Sequence, residues 1–288
     1  MKVLVFGCNG QLGHSLADTV PTNVEIIGLD LPELDITDAA AVLEVCSETC
    51  PDVIVNAAAY TAVDQAETEV ALATAVNVEG PRNIAKAARK ANSRLIHTST
   101  DFVLDGQGST PYRADTPPNP LSVYGHSKRD GELAVLAAAP NSAVVIRTSW
   151  LYSKTGNNFV KTMLRLMREQ DELGIVADQV GTPTWSDSLA KAIWGFTRVA
   201  TLNGIFHWSD HGETTWHSFA VAIQEEALSL GLLKSAISIR PITTADYPTP
   251  AIRPPYSVLD CSKTHSAINM RPKEWRRNLR EMLKGLTE

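Results

Sequence analysis

Lys2-Val-Leu-Val-Phe-Gly-Cys-Asn-Gly-Gln-Leu-Gly13 runs from a strand-like segment straight into a G-x-x-G-x-x-G loop. Val3–Phe6 is short and uniformly apolar, the pattern of a strand buried on both faces. Gly7, Gly10 and Gly13 allow a tight turn and a close approach of backbone. The helix that opens there, with Gln11 and Leu12 in its first turn, offers unpaired N–H groups and positive potential to a pyrophosphate. Asp30 follows 23 residues after Gly7, at the end of a second apolar run, Val24–Leu29. A carboxylate placed there accepts hydrogen bonds from an adenosine ribose. Strand, glycine loop, helix and acid together predict a dinucleotide-binding βα unit.

The same rhythm continues outward. Val53–Val55, Leu95–His97 and Val144–Ile146 read as further buried strands, separated by the amphipathic stretches Thr37–Ser47, Val70–Lys90 and Ser127–Ala138. Buried strands joined by crossover helices mean an α/β fold with a doubly wound parallel sheet, the Rossmann arrangement. After Trp150 the rhythm breaks. Asn158–Gln170, Asp187–Val199 and Thr214–Leu230 read as helices, Gly174–Ala177 as a strand, and Pro241–Pro255 as ordered loops, because prolines suit neither helix nor central strand. The expected division is an NAD(P)-binding domain over residues 1–150 and a smaller C-terminal substrate-binding lobe over 151–288, with about 174–210 returning to the main sheet.

The net charge of -6 excludes the broad basic surface that nucleic-acid or membrane-surface binding needs, so an anionic ligand requires a local basic site. No apolar run approaches the roughly 18 residues of a membrane span. The chain enters a strand at once, leaving no signal-peptide pattern, so the expected location is the cytoplasm. Cys8, Cys46, Cys50 and Cys261 match no disulfide framework or zinc spacing and read as free thiols. His207, His211 and His217 lack a ligand rhythm, and no metal site is expected.

Tyr124 and Lys128 form a Y-x-x-x-K pair on one helix face. His97-Thr98-Ser99-Thr100-Asp101 ends a strand, placing hydroxyls at the carboxyl edge of the sheet, where open α/β folds bind ligands. A carbonyl that accepts hydride gathers negative charge on oxygen and needs a proton. Tyr124 can donate it if the Lys128 ammonium lowers a phenol pKa that is ordinarily about 10. Thr100 can hold the carbonyl oxygen by a second hydrogen bond, and Lys128 can reach the nicotinamide ribose. Asn56 and the small residues Ala57, Ala58 and Ala59, with Tyr60 after them, would lie beside the cofactor. Asp35 and Ile36 would hold adenine by one polar and one apolar contact, and Asn77 would touch the cofactor or brace the strand ends. For these flanking positions, packing or capping is an equally good reading.

The G-x-x-G-x-x-G spacing and the Tyr–Lys pair point to the short-chain dehydrogenases/reductases, and longer strings narrow this further. GCNGQLG, ELDITD, NAAAYTAVDQAE, STDFVLDG, VYGHSK, RTSWLY, NNFVKTM, DQVGTPT and RPPYSVLD span residues 1 to about 263. The chain thereby resembles the dTDP-4-dehydrorhamnose reductases. The resemblance implies reduction of the 4-keto group of a dTDP-6-deoxysugar to dTDP-L-rhamnose with NADPH or NADH. It assigns Thr100, Tyr124 and Lys128 to catalysis. It also implies that Asp101, Phe102 and Trp150 line the sugar pocket, and that Gln179, Thr182 and Arg253 approach the nucleotide diphosphate. Arg253 would be the local basic site. Phe102 stands where family members often carry Tyr, so one hydroxyl contact to ligand is absent. Ser15 stands near a position where some members carry a glutamate that holds a dimer-bridging magnesium, so the chain is expected as a monomer or a homodimer without that bridge. Asp30 followed by Leu31, with no cation for a 2′-phosphate, leans toward NADH, whereas the family also uses NADPH. Two alternatives share these motifs: a sugar-nucleotide epimerase or dehydratase, and a non-catalytic regulatory subunit resembling the beta subunit of methionine adenosyltransferase.

Overall fold

The computed structural model describes residues 1–287. Its first half alternates β1 (Lys2–Phe6), α1 (Gln11–Asp18), β2 (Glu25–Leu29), α2 (Ala39–Thr49), β3 (Val53–Asn56), α3 (Val70–Thr74), α4 (Gly80–Lys90), β4 (Arg94–Thr100), α5 (Val123–Ala138) and β5 (Ala143–Thr148). The five strands lie parallel in the order β5-β4-β3-β1-β2, so the chain winds out from β1 in both directions. Alternate residues of each strand feed two cores. Val3, Val5, Val55, Ile96 and Ile146 face Leu12 and Leu16 of α1, while Leu4, Phe6, Ile54, Leu95 and Val145 face Val42, Ile84 and Val135 of α2, α4 and α5. Each such fully buried aliphatic side chain contributes about 1.5–3 kcal/mol, which is why the centres of these strands read as apolar on both faces.

The stretch Val70–Lys90 is helical, but a π turn at Ala75–Glu79 interrupts it between α3 and α4. Pro81 supplies the cause, because it has no N–H for the Asn77 carbonyl. The wider turn lets Asn77 reach inward.

The second half carries β6 (Leu151–Tyr152), α6 (Phe159–Glu169), β7 (Glu172–Val176), β8 (Val180–Gly181), β9 (Thr184–Trp185), α7 (Ser186–Thr197), β10 (Gly204–His207), β11 (Thr214–Thr215), α8 (Trp216–Ser229), β12 (Ser238–Ile242), α9 (Ser262–Ile268) and α10 (Trp275–Lys284). β10 adds a sixth parallel strand beside β5, and Leu189, Ile193 and Trp194 of α7 pack into the core under α1. The strand expected at Gly174–Ala177 forms as β7 but stays outside that sheet, pairing in parallel with β12. Its burial explains the correction: Leu173 alone is buried, so β7 lacks the two apolar faces that the middle of a covered sheet demands. The stretch from Pro241 was expected as loop, yet Pro241 and Ile242 close β12. Ser238 donates to Asp171 and Ile242 accepts from Ala177, so the bonded positions are 238, 240 and 242. Pro241 falls on the outward position, where its missing N–H costs nothing. A third apolar cluster joins α6, α8 and α10 through Met163, Phe219, Ile223, Leu279 and Met282.

Candidate active site

The glycine loop leaves β1 with Gly7 at φ +83°, and a Cβ there would meet Ala58 N at 2.5 Å. At Gly13 a Cβ would fall 2.4 Å from the carbonyls of Gly7 and Cys8, so both sites admit only glycine. Gly10 caps α1 without a side-chain bond, and His14 N–H is the first to bond back, to Gly10 O at 3.0 Å. The N–H groups of Gln11, Leu12 and Gly13 therefore point outward as an anion cradle. Beside it a cleft of about 260 Å³ is lined by Gly7, Gly10, Asp30, Asp35, Ile36 and Ala57–Ala59. This cradle and cleft fit a dinucleotide. Asp30 sits at the rim, accepting from Asn9 N–H and Leu31 N–H at 2.9 Å each, which fixes its carboxylate and leaves further lone pairs for ribose hydroxyls.

The side chains of several flanking residues are engaged within the protein. Leu12 is buried in the core, and Gln11 accepts from Asn158 at 3.0 Å, tying the loop to the cap of α6. Asn77 takes Tyr60 N–H at 2.9 Å and donates to Tyr60 O and Ser127 Oγ at 3.0 Å each, so its amide is consumed inside the protein. The Tyr60 hydroxyl donates to Glu69 at 2.7 Å. Asp35 accepts from Thr37 N–H at 2.8 Å. Ser15 is buried and bonded to Ser186 and Asp187 at 2.7 Å each, locking α1 to α7. Among the described residues, no three His, Cys, Asp or Glu side chains gather at a metal-binding distance. All four cysteines are free.

Ser122 caps α5 by accepting from Gly125 N–H, which starts the helix one residue before Tyr124. Gly125 lies against the Phe102 carbonyl, where a Cβ would come within 2.3 Å, so α5 presses directly on the end of β4. Tyr124 is 8% exposed and meets Phe102 edge to face, ring centres 5.5 Å apart. Burial pushes its phenol up to about 12; the Asp101 carboxylate adds to that and the Thr100 hydroxyl opposes it. Lys128, 2% exposed, donates to Thr98 O at 2.8 Å, and burial pulls it down to about 8 despite support from Glu132. The expected lowering of Tyr124 by Lys128 does not figure among the causes of its shift, burial dominates, and the phenol holds its proton through the neutral range. Thr100 accepts from Phe102 N–H at 3.2 Å and donates to Asp101 Oδ1 at 3.0 Å, so holding a carbonyl requires its hydroxyl to turn. Asp101 is buried and raised to about 6, mainly by burial, with hydrogen bonds from Ser257 and Thr100 opposing.

On the lobe side, Val180 N–H bonds Pro255 O and Ser257 N–H bonds Val180 O, at 2.8 Å each, bringing the Gln179 and Arg253 segments together. Gln179 donates to Thr244 at 3.1 Å. Thr182 is buried and donates to Gly212 O at 2.8 Å, which makes it part of the scaffold. Arg253 is no isolated cation: it donates to Asp64 Oδ2 at 2.7 Å, and Asp64 also takes Ala251 N–H at 3.3 Å. Asp64 was missed although it lies inside NAAAYTAVDQAE. Glu132 and Arg147 were missed as well. They form a fully buried two-pronged pair at 2.8 and 2.7 Å, and Ser99 donates to the same carboxylate at 2.6 Å. The available signal was spacing, since Tyr124, Lys128 and Glu132 succeed one another every four residues along one face.

The family described as "RmlD substrate binding domain" matches residues 1–288. A dTDP-4-dehydrorhamnose reductase of Aggregatibacter actinomycetemcomitans is 43% identical over 288 residues, 98% of this chain and 98% of that protein. Among solved structures, a dTDP-4-dehydrorhamnose reductase of Clostridium acetobutylicum superposes with a TM-score of 0.94 at 39% identity, covering 100% of both chains. The dTDP-4-dehydrorhamnose reductase of Bacillus anthracis in complex with NADP gives 0.93 at 36% identity over 98% of each chain.

Proposed function

The chain belongs to the RmlD substrate binding domain family, that of the dTDP-4-dehydrorhamnose reductases, and we propose that it reduces the 4-keto group of dTDP-4-dehydro-L-rhamnose to dTDP-L-rhamnose with NADPH or NADH. The observation that carries this reading is the buried, protonated Tyr124 beside Thr100 at the carboxyl edge of the sheet, with Lys128 four residues on. The residues Gly7, Gly10, Gly13 and Asp30 would hold the dinucleotide, with Ala57–Ala59 admitting it close to β3. When bound, the reduced nicotinamide supplies hydride to the carbonyl carbon. Tyr124 donates the proton to the carbonyl oxygen. Lys128, anchored on Thr98, stabilises the phenolate left behind and can reach the ribose hydroxyls. Thr100, once its hydroxyl turns from Asp101, gives the oxygen a second donor. Phe102 closes one side of Tyr124.

Purified protein is expected to oxidise NADPH or NADH only when a dTDP-4-keto-6-deoxysugar is added. Cofactor loss independent of sugar, or no turnover across a panel of keto-sugar nucleotides, would remove the reading. A fixed carboxylate at Asp30 favours a free ribose 2′-hydroxyl, so in the same assay NADH should serve at least as well as NADPH. A strong NADPH preference contradicts that role.

Arg253→Ala should raise KM for the nucleotide sugar by about tenfold or more while kcat changes little, because a diphosphate is held alike in ground and transition states. A guanidinium fork suits phosphate oxygens, and Asp64 already holds this one extended toward the main domain. Steady-state kinetics decide it, and an unchanged KM removes Arg253 from the site.

A further inference from the structure

Trp150 stands at φ +45°, a left-handed conformation in which a bulky side chain crowds its own backbone, so it persists only where the surroundings over-determine it. Three contacts do so. The Trp150 indole lies parallel to that of Trp216, with centres 3.6 Å and planes 8° apart. Its Nε1–Cε2–Cζ2 edge rests on Gly181, where a Cβ would come within 2.5 to 2.8 Å of those atoms. Its carbonyl accepts from Thr184 N–H at 3.2 Å. Gly181 and Trp216 are also tied to each other, since β8 pairs with β11 at Thr214↔Gly181 and Trp216 begins α8 directly after. Phe159 backs Trp216 with ring centres 4.6 Å apart.

The strained residue sits at a telling place. Thr148 of β5 pairs with Thr100 of β4, so Trp150 leaves the sheet two residues beyond the level of Thr100, on the edge that carries Tyr124. Trp216 covers one face of the indole, and Trp150 stays only half-buried.

We propose that Trp216 and Gly181 are positioning residues that hold Trp150 in its left-handed conformation, so that the indole face opposite Trp216 receives the C–H-rich face of the substrate's 6-deoxyhexose ring. This rests on the reading of Trp150 as a wall of the sugar pocket. The electron-rich indole face attracts polarised C–H groups. A ring already fixed by its stack loses no further freedom when the sugar arrives. Because stacking on a ring remote from the reacting carbon acts on ground and transition states alike, its loss appears in KM.

Three variants of the full chain test this by steady-state kinetics and far-ultraviolet circular dichroism, in which two stacked indoles give an exciton couplet. Trp216→Leu should abolish the couplet and raise KM for the keto-sugar nucleotide about tenfold, with kcat changed less than about threefold. Trp216→Phe can still stack and should bring KM back to within about threefold of the parent. Trp150→Ala should raise KM at least as much as Trp216→Leu. If Trp150→Ala leaves KM unchanged, the sugar-pocket reading fails and the proposal with it. If Trp150→Ala raises KM but Trp216→Leu loses the couplet without raising it, the positioning role alone is overturned. Should Trp216→Leu not fold, Gly181→Ala, which intrudes on the indole edge, is expected to give the same rise in KM, and a normal KM there overturns the proposal.

Discussion

Tyr124→Phe is expected to lower kcat by about 10² to 10⁴, the usual worth of a positioned proton donor. The residue is buried, its phenol is held protonated, and Phe fills the same space against Phe102, so the variant removes one hydroxyl without a cavity. Cofactor binding should survive, because Gly7, Gly10 and Gly13 contribute backbone at another part of the sheet edge. A thermal shift with reduced cofactor should therefore persist. Stopped-flow or steady-state turnover reads the first half and calorimetry the second. Near-normal turnover would refute the assigned acid and direct attention to Thr100 or a bound water. A non-catalytic subunit would give no turnover even before mutation.

The parts of the fold that were legible were those where one local signal and the burial demand agree. β1, β3 and β5 carry apolar runs facing both ways and are buried on both faces, so periodicity and packing coincide, and β4 shares this at Leu95 and Ile96. β7 was legible as a strand but not as to its partner, because pairing is a long-range choice and only its half-exposed pattern hinted that the main sheet would reject it. β12 was hidden by Pro241, whose tolerance depends on which side of the strand faces a neighbour. At the site, residues that act through backbone or through a fixed motif spacing were readable: Gly7, Gly13, Tyr124 and Lys128. What stayed hidden were partners distant in sequence. Asp64 meets Arg253 189 residues away, and Glu132 meets Arg147 across 15, pairings that exist only once the sheet is assembled. The same cause misled the reading of electrostatics. Sequence spacing places an ammonium near a phenol, but it says nothing of burial, which governs both groups.

Removing the carboxylate of Glu132 should be among the most destabilising single changes in the chain. Arg147 is 0% exposed and Glu132 2% by side chain, and the pair shares two hydrogen bonds with a third from Ser99. Glu132→Leu leaves a guanidinium buried without its counter-charge, which costs about 3–5 kcal/mol. For a chain of this size that corresponds to a fall in Tm on the order of 10 °C. Because the attraction within such a pair roughly offsets its desolvation, the double variant Glu132→Leu/Arg147→Met should recover most of the loss. A double variant no more stable than Glu132→Leu would mean that packing around α5, and not the orphaned charge, sets the cost. Activity separates a second effect from stability. Glu132 holds the Lys128 ammonium up against the burial that pulls it to about 8. Without that carboxylate Lys128 loses its proton at lower pH, so the fall of kcat/KM on the alkaline side should begin nearer neutrality. That shift should remain in the double variant even after its stability returns, since neither Leu nor Met replaces the charge. An alkaline limb unchanged from the parent would show that Glu132 serves Arg147 and Ser99 alone, with no hold on the lysine four residues before it.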